Sequence, residues 1–154
     1  MTHSLGCAKV SGMKKGIDFT GITVSFYCHD GNGKYVMHRR NENCRDEHGC
    51  WDFGGGGVKF NESLEDALHR EVREEYGADI LESEFVGHRE LFREHEGVKT
   101  HWLSFVYIVK LDPEKVVNNE PEKHEEVSWF TLDNLPTPLH SMISDSLKLY
   151  KDKL

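Results

Sequence analysis

Three glutamates, Glu71, Glu74 and Glu75, stand at i, i+3 and i+4 inside a stretch of helical apolar periodicity. On a helix that spacing gathers them over an arc of roughly 100° on one side. Like charges so placed destabilise a helix by about 0.2–0.5 kcal/mol per pair. Asp66, Arg70 and Glu74 offer partial relief through i, i+4 pairing. A solvated acidic face would account for the charges alone. Converging carboxylates also suit a hard divalent cation such as Mg²⁺, which takes oxygen ligands and shares some with substrate phosphates. Two neighbours favour the cation: the glycine run Gly54 to Gly57, and the separate acid Glu62. Glycine permits close approach and positive φ, so a backbone carbonyl near Gly55–Gly56 can join the carboxylates.

The segment from Gly56 to Ala78, GGVKFNESLEDALHREVREEYGA, resembles the box of the Nudix hydrolase family (MutT-like), G-x5-E-x7-R-E-U-x-E-E-x-G-U with U aliphatic. Gly56, Glu62, Arg70-Glu71, Val72, Glu74-Glu75 and Gly77 occupy its fixed positions, and Ala78 stands in for the last aliphatic. The resemblance implies an α/β fold, a Nudix-type α/β/α sandwich around a mixed sheet. It implies Mg²⁺- or Mn²⁺-dependent hydrolysis of a nucleoside diphosphate linked to another moiety. By the same resemblance, Glu71, Glu74 and Glu75 are metal ligands, and Gly55 or Gly56 contributes a carbonyl. Arg70 orients a carboxylate and Glu62 braces the loop against it. The chain departs from the family where Gly54 replaces a frequent proline and Asn61 a frequent glycine. Four successive glycines predict a less rigid loop.

Outside the box, the resemblance puts the general base before the late Trp-containing strand. Glu120, Glu122, Glu125 and Glu126 are the candidates, and Glu126 matches the recurring position best. A basic residue closing the second strand commonly meets phosphate or sugar in the family, which singles out Arg39 and Arg40; an ordinary charged strand end explains them equally. Trp51, Phe53 and Trp102 are core by default, though one of them could stack on a base. Cys44, His48 and Cys50 are soft ligands but lack a fourth partner and the paired C-x2-C spacing of a zinc site. Marks of the ADP-ribose, coenzyme A and NADH subgroups are missing, which leaves nucleoside triphosphates, oxidised ones included, and nucleotide sugars. Two other classes compete: a catalytically silent nucleotide-sensing module and an allylic diphosphate isomerase. Both usually alter box acids that are intact here.

The elements that must position these residues are legible in outline. A strand is predicted over 22–27, a turn at 29–34 and a returning strand over 35–38 ending at Arg39-Arg40. A polar loop fills 41–50. The helix is predicted from Ser63 as N-cap to Tyr76, with Leu64, Leu68, Val72 and Tyr76 as its apolar stripe and Gly77 closing it. Strands are predicted over 84–92 and 100–110, the second apolar on both faces and therefore central. An acidic loop at 112–126, a short strand at 127–131 and a helix over 141–153 complete the order. No βαβ alternation appears, so a mixed sheet flanked by helices is expected. Residues 1–16 are expected to form a flexible leading segment and 17–154 a single domain.

At 154 residues the chain matches one ordinary domain. Charged residues make up 30%, and no apolar run approaches the roughly 20 residues needed to span a bilayer. No secretory signal is visible at the start, so a cytoplasmic location and reduced cysteines are expected. The net charge of −8 is opposite to what a non-specific nucleic-acid binder needs. The expected partner is therefore a small nucleotide, with neither a nucleic-acid polymer nor a membrane. Homodimerisation is compatible with the sequence but not indicated by it.

Overall fold

The computed structural model describes residues 12–154. Its strands are β1 (Gly21–His29), β2 (Lys34–Arg40), β3 (Trp51–Asp52), β4 (Gly55–Gly57), β5 (Glu82–His95), β6 (Val98–Lys110) and β7 (His124–Thr131); its α-helices are α1 (Leu64–Tyr76) and α2 (Ser141–Tyr150), and a 3₁₀ turn, Lys151–Lys153, follows. One mixed sheet runs in the order β3-β2-β1-β6-β5, with β4 on β1 and β7 on β2. The β1–β6 pair is parallel and the other pairs are antiparallel. The central position expected for the apolar strand is therefore the one β6 holds.

Alternation along the central strands builds two cores. Phe26, Cys28 and Val36 face α1 and pack on Leu68, Val72 and Tyr76. Tyr27, Tyr35 and Met37 face the other way, toward Ile143 and Tyr150 of α2. That period of two turns one apolar strand into the filling of a sandwich. Helix α1 starts where its cap requires: the Ser63 side chain accepts from the Asp66 N–H, and Gly77 ends it at φ 66°. The last three residues assigned to the second helix form the 3₁₀ turn instead.

The strands run past their predicted ends. The turn between β5 and β6 shrinks to Glu96-Gly97, and β7 begins three residues earlier than expected, at His124. The glycine run is a correction in kind. Gly55–Gly57 form a strand registered on Thr23, Val24 and Ser25 of β1, so backbone hydrogen bonding stiffens the glycines that were expected to loosen a loop. At the other end, Lys14 to Phe19 make a turn in which Gly16 O accepts from His101 N of β6.

Candidate active site

Strand β4 and helix α1 meet face to face, and glycine decides how closely. A Cβ on Gly56 would lie 2.0 Å from the Glu71 carboxyl carbon. One on Gly54, where φ is +123°, would lie 2.4 Å from both Glu75 Oε2 and the Phe26 ring. The two carboxylates thus rest directly on backbone. Glu75 is 6% exposed; its Oε1 accepts from Gly55 N at 3.3 Å, while Oε2 is buried without a hydrogen-bond partner. Burial, with the Asp52 charge nearby, pushes its carboxyl well above the usual range. Burial raises Glu71 too, against the pull of Arg70. A buried carboxylate with an orphaned oxygen, beside a second one with no room for any Cβ, is a donor set that a hard cation fits.

Arg70 organises the surrounding acids. Its Nε and Nη2 grip Glu62 Oε1 and Oε2 at 2.7 and 2.9 Å, and Nη2 also reaches Gly57 O at 3.0 Å. Nη1 donates to Glu71 Oε1 at 2.5 Å and to Glu74 Oε2 at 3.2 Å. The bidentate bond from Arg70, joined by the Lys59 N–H, holds the Glu62 carboxyl down at about 2. Glu74 is the most open of the three box acids, its side chain 46% exposed. Drawn toward Arg70, the box acids do not close on one another as tightly as Asp46, Glu47 and His140 do, whose ligand atoms lie within 4.8 Å. That second group is already neutralised. Arg93 pairs with Asp46 at 3.1 Å and with Glu47 at 2.5 Å, and Glu47 accepts from Ser141 N at the start of α2. It reads as a strut between β5 and α2.

Two adjoining concavities share the glycine strand, Asp52, Arg40 and Arg45. The first, about 370 Å³, is the acid side, with Glu71, Glu74, Glu75 and Glu120. The second, about 350 Å³, continues past the glycines to Leu91, Trp102 and Met142. Arg40 therefore faces the cleft, where it donates to Asp46 O and Asp46 Oδ1, both at 3.0 Å, and sits 3.6 Å from Asp52 Oδ2. Arg39 does not. It lies 3.3 Å from Glu125 and donates to Gly49 O. Glu126 pairs across from Arg39, accepts from Ser128 Oγ, and is not among the residues lining the acid side. Glu120 is, held by Lys123 Nζ at 2.7 Å.

Several cleft residues escaped the sequence reading. Asp52 lies at the junction of both concavities. Against the cost of burial, His140, Arg40 and the Phe53 N–H keep its carboxyl low. His38 is 2% exposed and stacks on His124 at 3.7 Å; burial pushes it down to about 3, so it is neutral. Tyr76 OH donates to Phe53 O at 2.5 Å and stands 3.1 Å from His38 Nδ1, so its oxygen accepts there and the His38 proton sits on Nδ1. The signal for His38 was available: it shares a face of β2 with Arg40, two residues on. Cys44, His48 and Cys50 form no ligand cluster; His48 Nε2 bonds Cys44 O instead.

The NUDIX domain model matches residues 20–152. The chain belongs to the Nudix family. It is 37% identical over 70 residues to the nucleoside triphosphatase NudI of Salmonella agona, an alignment covering 46% of this chain and 48% of NudI. The chain thus spans about half the length of the curated relatives it matches first. An uncharacterized Nudix hydrolase of Yersinia pestis is 30% identical over 121 residues, or 78% of this chain and 63% of that protein. In three dimensions the chain is similar to a MutT NUDIX hydrolase from Burkholderia pseudomallei, with a TM-score of 0.74 and 26% identity, covering 85% of this chain and 98% of that one. Among the described residues of this Nudix protein, no helix is long and apolar enough to cross a membrane.

Proposed function

We propose that the protein hydrolyses a nucleoside diphosphate linked to another moiety, a nucleoside triphosphate or a nucleotide sugar, by divalent-cation-dependent attack of water at phosphorus. The carrying observation is the buried, unpartnered Glu75 Oε2 against Gly54, with Glu71 seated on Gly56 beside it. A carboxylate is costly to bury without a compensating charge, and of the box's cations Lys59, Arg70 and Arg73, Arg70 alone forms ion pairs with the box acids, with Glu62, Glu71 and Glu74 but not with Glu75. Glu71, Glu74, Glu75 and the Gly56 carbonyl would hold Mg²⁺ or Mn²⁺. When bound, such a cation offsets phosphate charge and makes water easier to deprotonate.

The chain's own groups do the rest. Arg70 orients Glu71 and Glu74, and Glu62 fixes Arg70 in turn. Arg40, braced by Asp46 and Asp52, presents a fork to a phosphate oxygen. Of the four candidate bases, Glu120 rather than Glu126, the best match to the family position, takes the general-base role, because it lines the acid side and Glu126 does not. The similarity to NudI, a nucleoside triphosphatase, supports triphosphates as the first substrates to test. No box acid is missing, as a silent module or an isomerase would lead one to expect. The test is a nucleotide screen with and without Mg²⁺, products identified and the solvent ¹⁸O-labelled. Label in a phosphate product is expected. Full turnover in excess EDTA, or label in a sugar hydroxyl, would overturn the reading.

A further inference from the structure

Trp102 is a wall with a cavity on each side. It lines the second concavity of the cleft and also a separate space of about 490 Å³ between the Lys14–Phe19 turn and the β5–β6 hairpin. The ring fits there because two neighbours lack a side chain: a Cβ on Gly16 or Gly21 would come within 2.3 Å of it. Arg45, Asp46 and Arg93 line both spaces, so the outer cavity is an extension of the cleft.

Its charge is the reverse of the molecule's. The chain carries −8 overall, yet Lys14, Lys15, Arg45 and Arg93 line this cavity against two acids, Asp46 and Glu96. Arg93 is committed to Asp46 and Glu47. Asp46, 3% exposed, already serves Arg40 and Arg93, so Arg45 at 3.4 Å shares a carboxylate that is largely spent. The Arg45 guanidinium instead lies over the Trp102 ring, 5.9 Å from its centroid. Lys15 Nζ donates to the uncharged Val58 carbonyl. Lys14 has no carboxylate within ion-pair reach among the described residues, while its backbone is pinned by the bond from its N–H to Asp18 Oδ2 at 2.6 Å. Among the described residues, Lys14 and Arg45 are thus cations without a dedicated counter-charge, set against the single unpaired acid Glu96, in a space large enough for a phosphorylated sugar, while the Lys15 ammonium stands toward the glycine strand, 3.8 Å from the Cβ position of Gly57.

We propose that this outer cavity is a second anion subsite, and that the preferred substrate carries a phosphate monoester remote from its scissile diphosphate. The inference rests on the hydrolase reading above and extends it. The diphosphate lies at the glycine strand, the chain of the substrate passes Trp102 and Arg45, and the remote phosphate meets Lys14. That phosphate belongs either to the nucleoside ribose or to the linked moiety, and both place the same dianion in the cavity.

Three substrates separate the cases, each made with the four common bases: a nucleoside diphosphate hexose, the same compound phosphorylated on the hexose, and the same compound phosphorylated on the ribose 3′-hydroxyl. In the wild type one phosphorylated form should show kcat/KM about tenfold above the plain compound, the return on one charge-assisted contact set. Lys14→Glu should remove that preference through KM, with kcat and both constants for the plain compound unchanged; Lys14→Arg should keep it. Equal constants for all three substrates in the wild type, or a Lys14→Glu effect equal on all three, would overturn the proposal. If the wild type cleaves none of them with Mg²⁺, the nucleotide screen described above judges the hydrolase reading, and calorimetry in EDTA judges the subsite. Tighter binding of a phosphorylated compound than the plain one, lost in Lys14→Glu, supports it; equal binding overturns it.

Discussion

Glu75 places its carboxyl where water scarcely reaches it, and the consequences can be measured without knowing the substrate. Glu75→Gln keeps the shape and drops the charge. Turnover with Mg²⁺ should fall by roughly a thousandfold, since a metal-assisted step loses several kcal/mol when a ligand goes. In EDTA the variant should be as stable as the wild type or more so by urea denaturation, because the buried anion is gone. The Mg²⁺-induced rise in Tm should shrink, as ligand stabilisation follows affinity for the native state. The exposed Glu65→Gln should change none of the three. His38 gives a pH signature. Its folded pKa, about 3, lies below the ordinary histidine value of 6.5, so its contribution is complete above 6.5 and is lost as pH falls toward 3. The stability margin of the wild type over His38→Gln, measured in EDTA, should therefore narrow by on the order of 3 kcal/mol between pH 7.5 and 4. His38 Nδ1 lies 3.9 Å from Glu75 Oε2, so the two titrations are coupled and the margin reports the pair rather than the ring alone. The box acids were legible because their spacing is local. The neighbours that set their energies were less so: Glu120 was one of four candidate bases with nothing local to single it out, His38 and Asp52 were not named, and only the fold brings these three segments to the box.

Strand β4 shows how an element can be read correctly in composition and wrongly in state. Three glycines have little strand propensity, so nothing local predicts pairing; β1 supplies it through Thr23, Val24 and Ser25. Two substitutions separate the site's demand from the backbone's. Gly56 has an ordinary φ, and the atoms its Cβ would meet are the movable end of Glu71. Gly56→Ala should fold with stability within about 1 kcal/mol of wild type, yet lose most of its turnover because Glu71 is displaced. Gly54 sits at φ +123° with Phe26 behind it, so Gly54→Ala should cost about 1–3 kcal/mol in addition to activity. Urea denaturation and steady-state turnover of both variants provide the check. Helix α1 was legible to the residue, since cap, stripe and terminal glycine all lie within its own sequence. Alternation puts Arg39 and Arg40 on opposite faces of β2, but which face meets the cleft is decided only by the fold, which turns Arg40 into it and pairs Arg39 with Glu125.

Across the whole molecule, acid excess and local basic clusters coexist by position: the box acids line only one of the two concavities at the glycine strand, Arg93 of β5 lines only the other, and Arg40 and Arg45 stand between them and line both. The thiols follow the same partition by depth. Cys28 is fully buried, and burial, reinforced by the Glu75 charge, raises its thiol well above the usual range. Cys44 and Cys50 are half-exposed and free, and Cys7 lies outside the described residues. Under native conditions a thiol reagent should label Cys44 and Cys50 within minutes and Cys28 only on unfolding; peptide mapping of the labelled protein decides it. The parallel pairing of β1 with β6 has its own consequence for how the protein is made. Ser25 and Ser104 touch at 2.7 Å across 79 positions of sequence, so the strand that supports the glycines gains its inner neighbour only after most of the chain has left the ribosome. The box is complete long before then, but it has nothing to stand on. A nascent chain released before β6 would carry every acid of the motif as an unfolded, metal-indifferent polyanion, and the catalytic cradle would appear in one late, cooperative step.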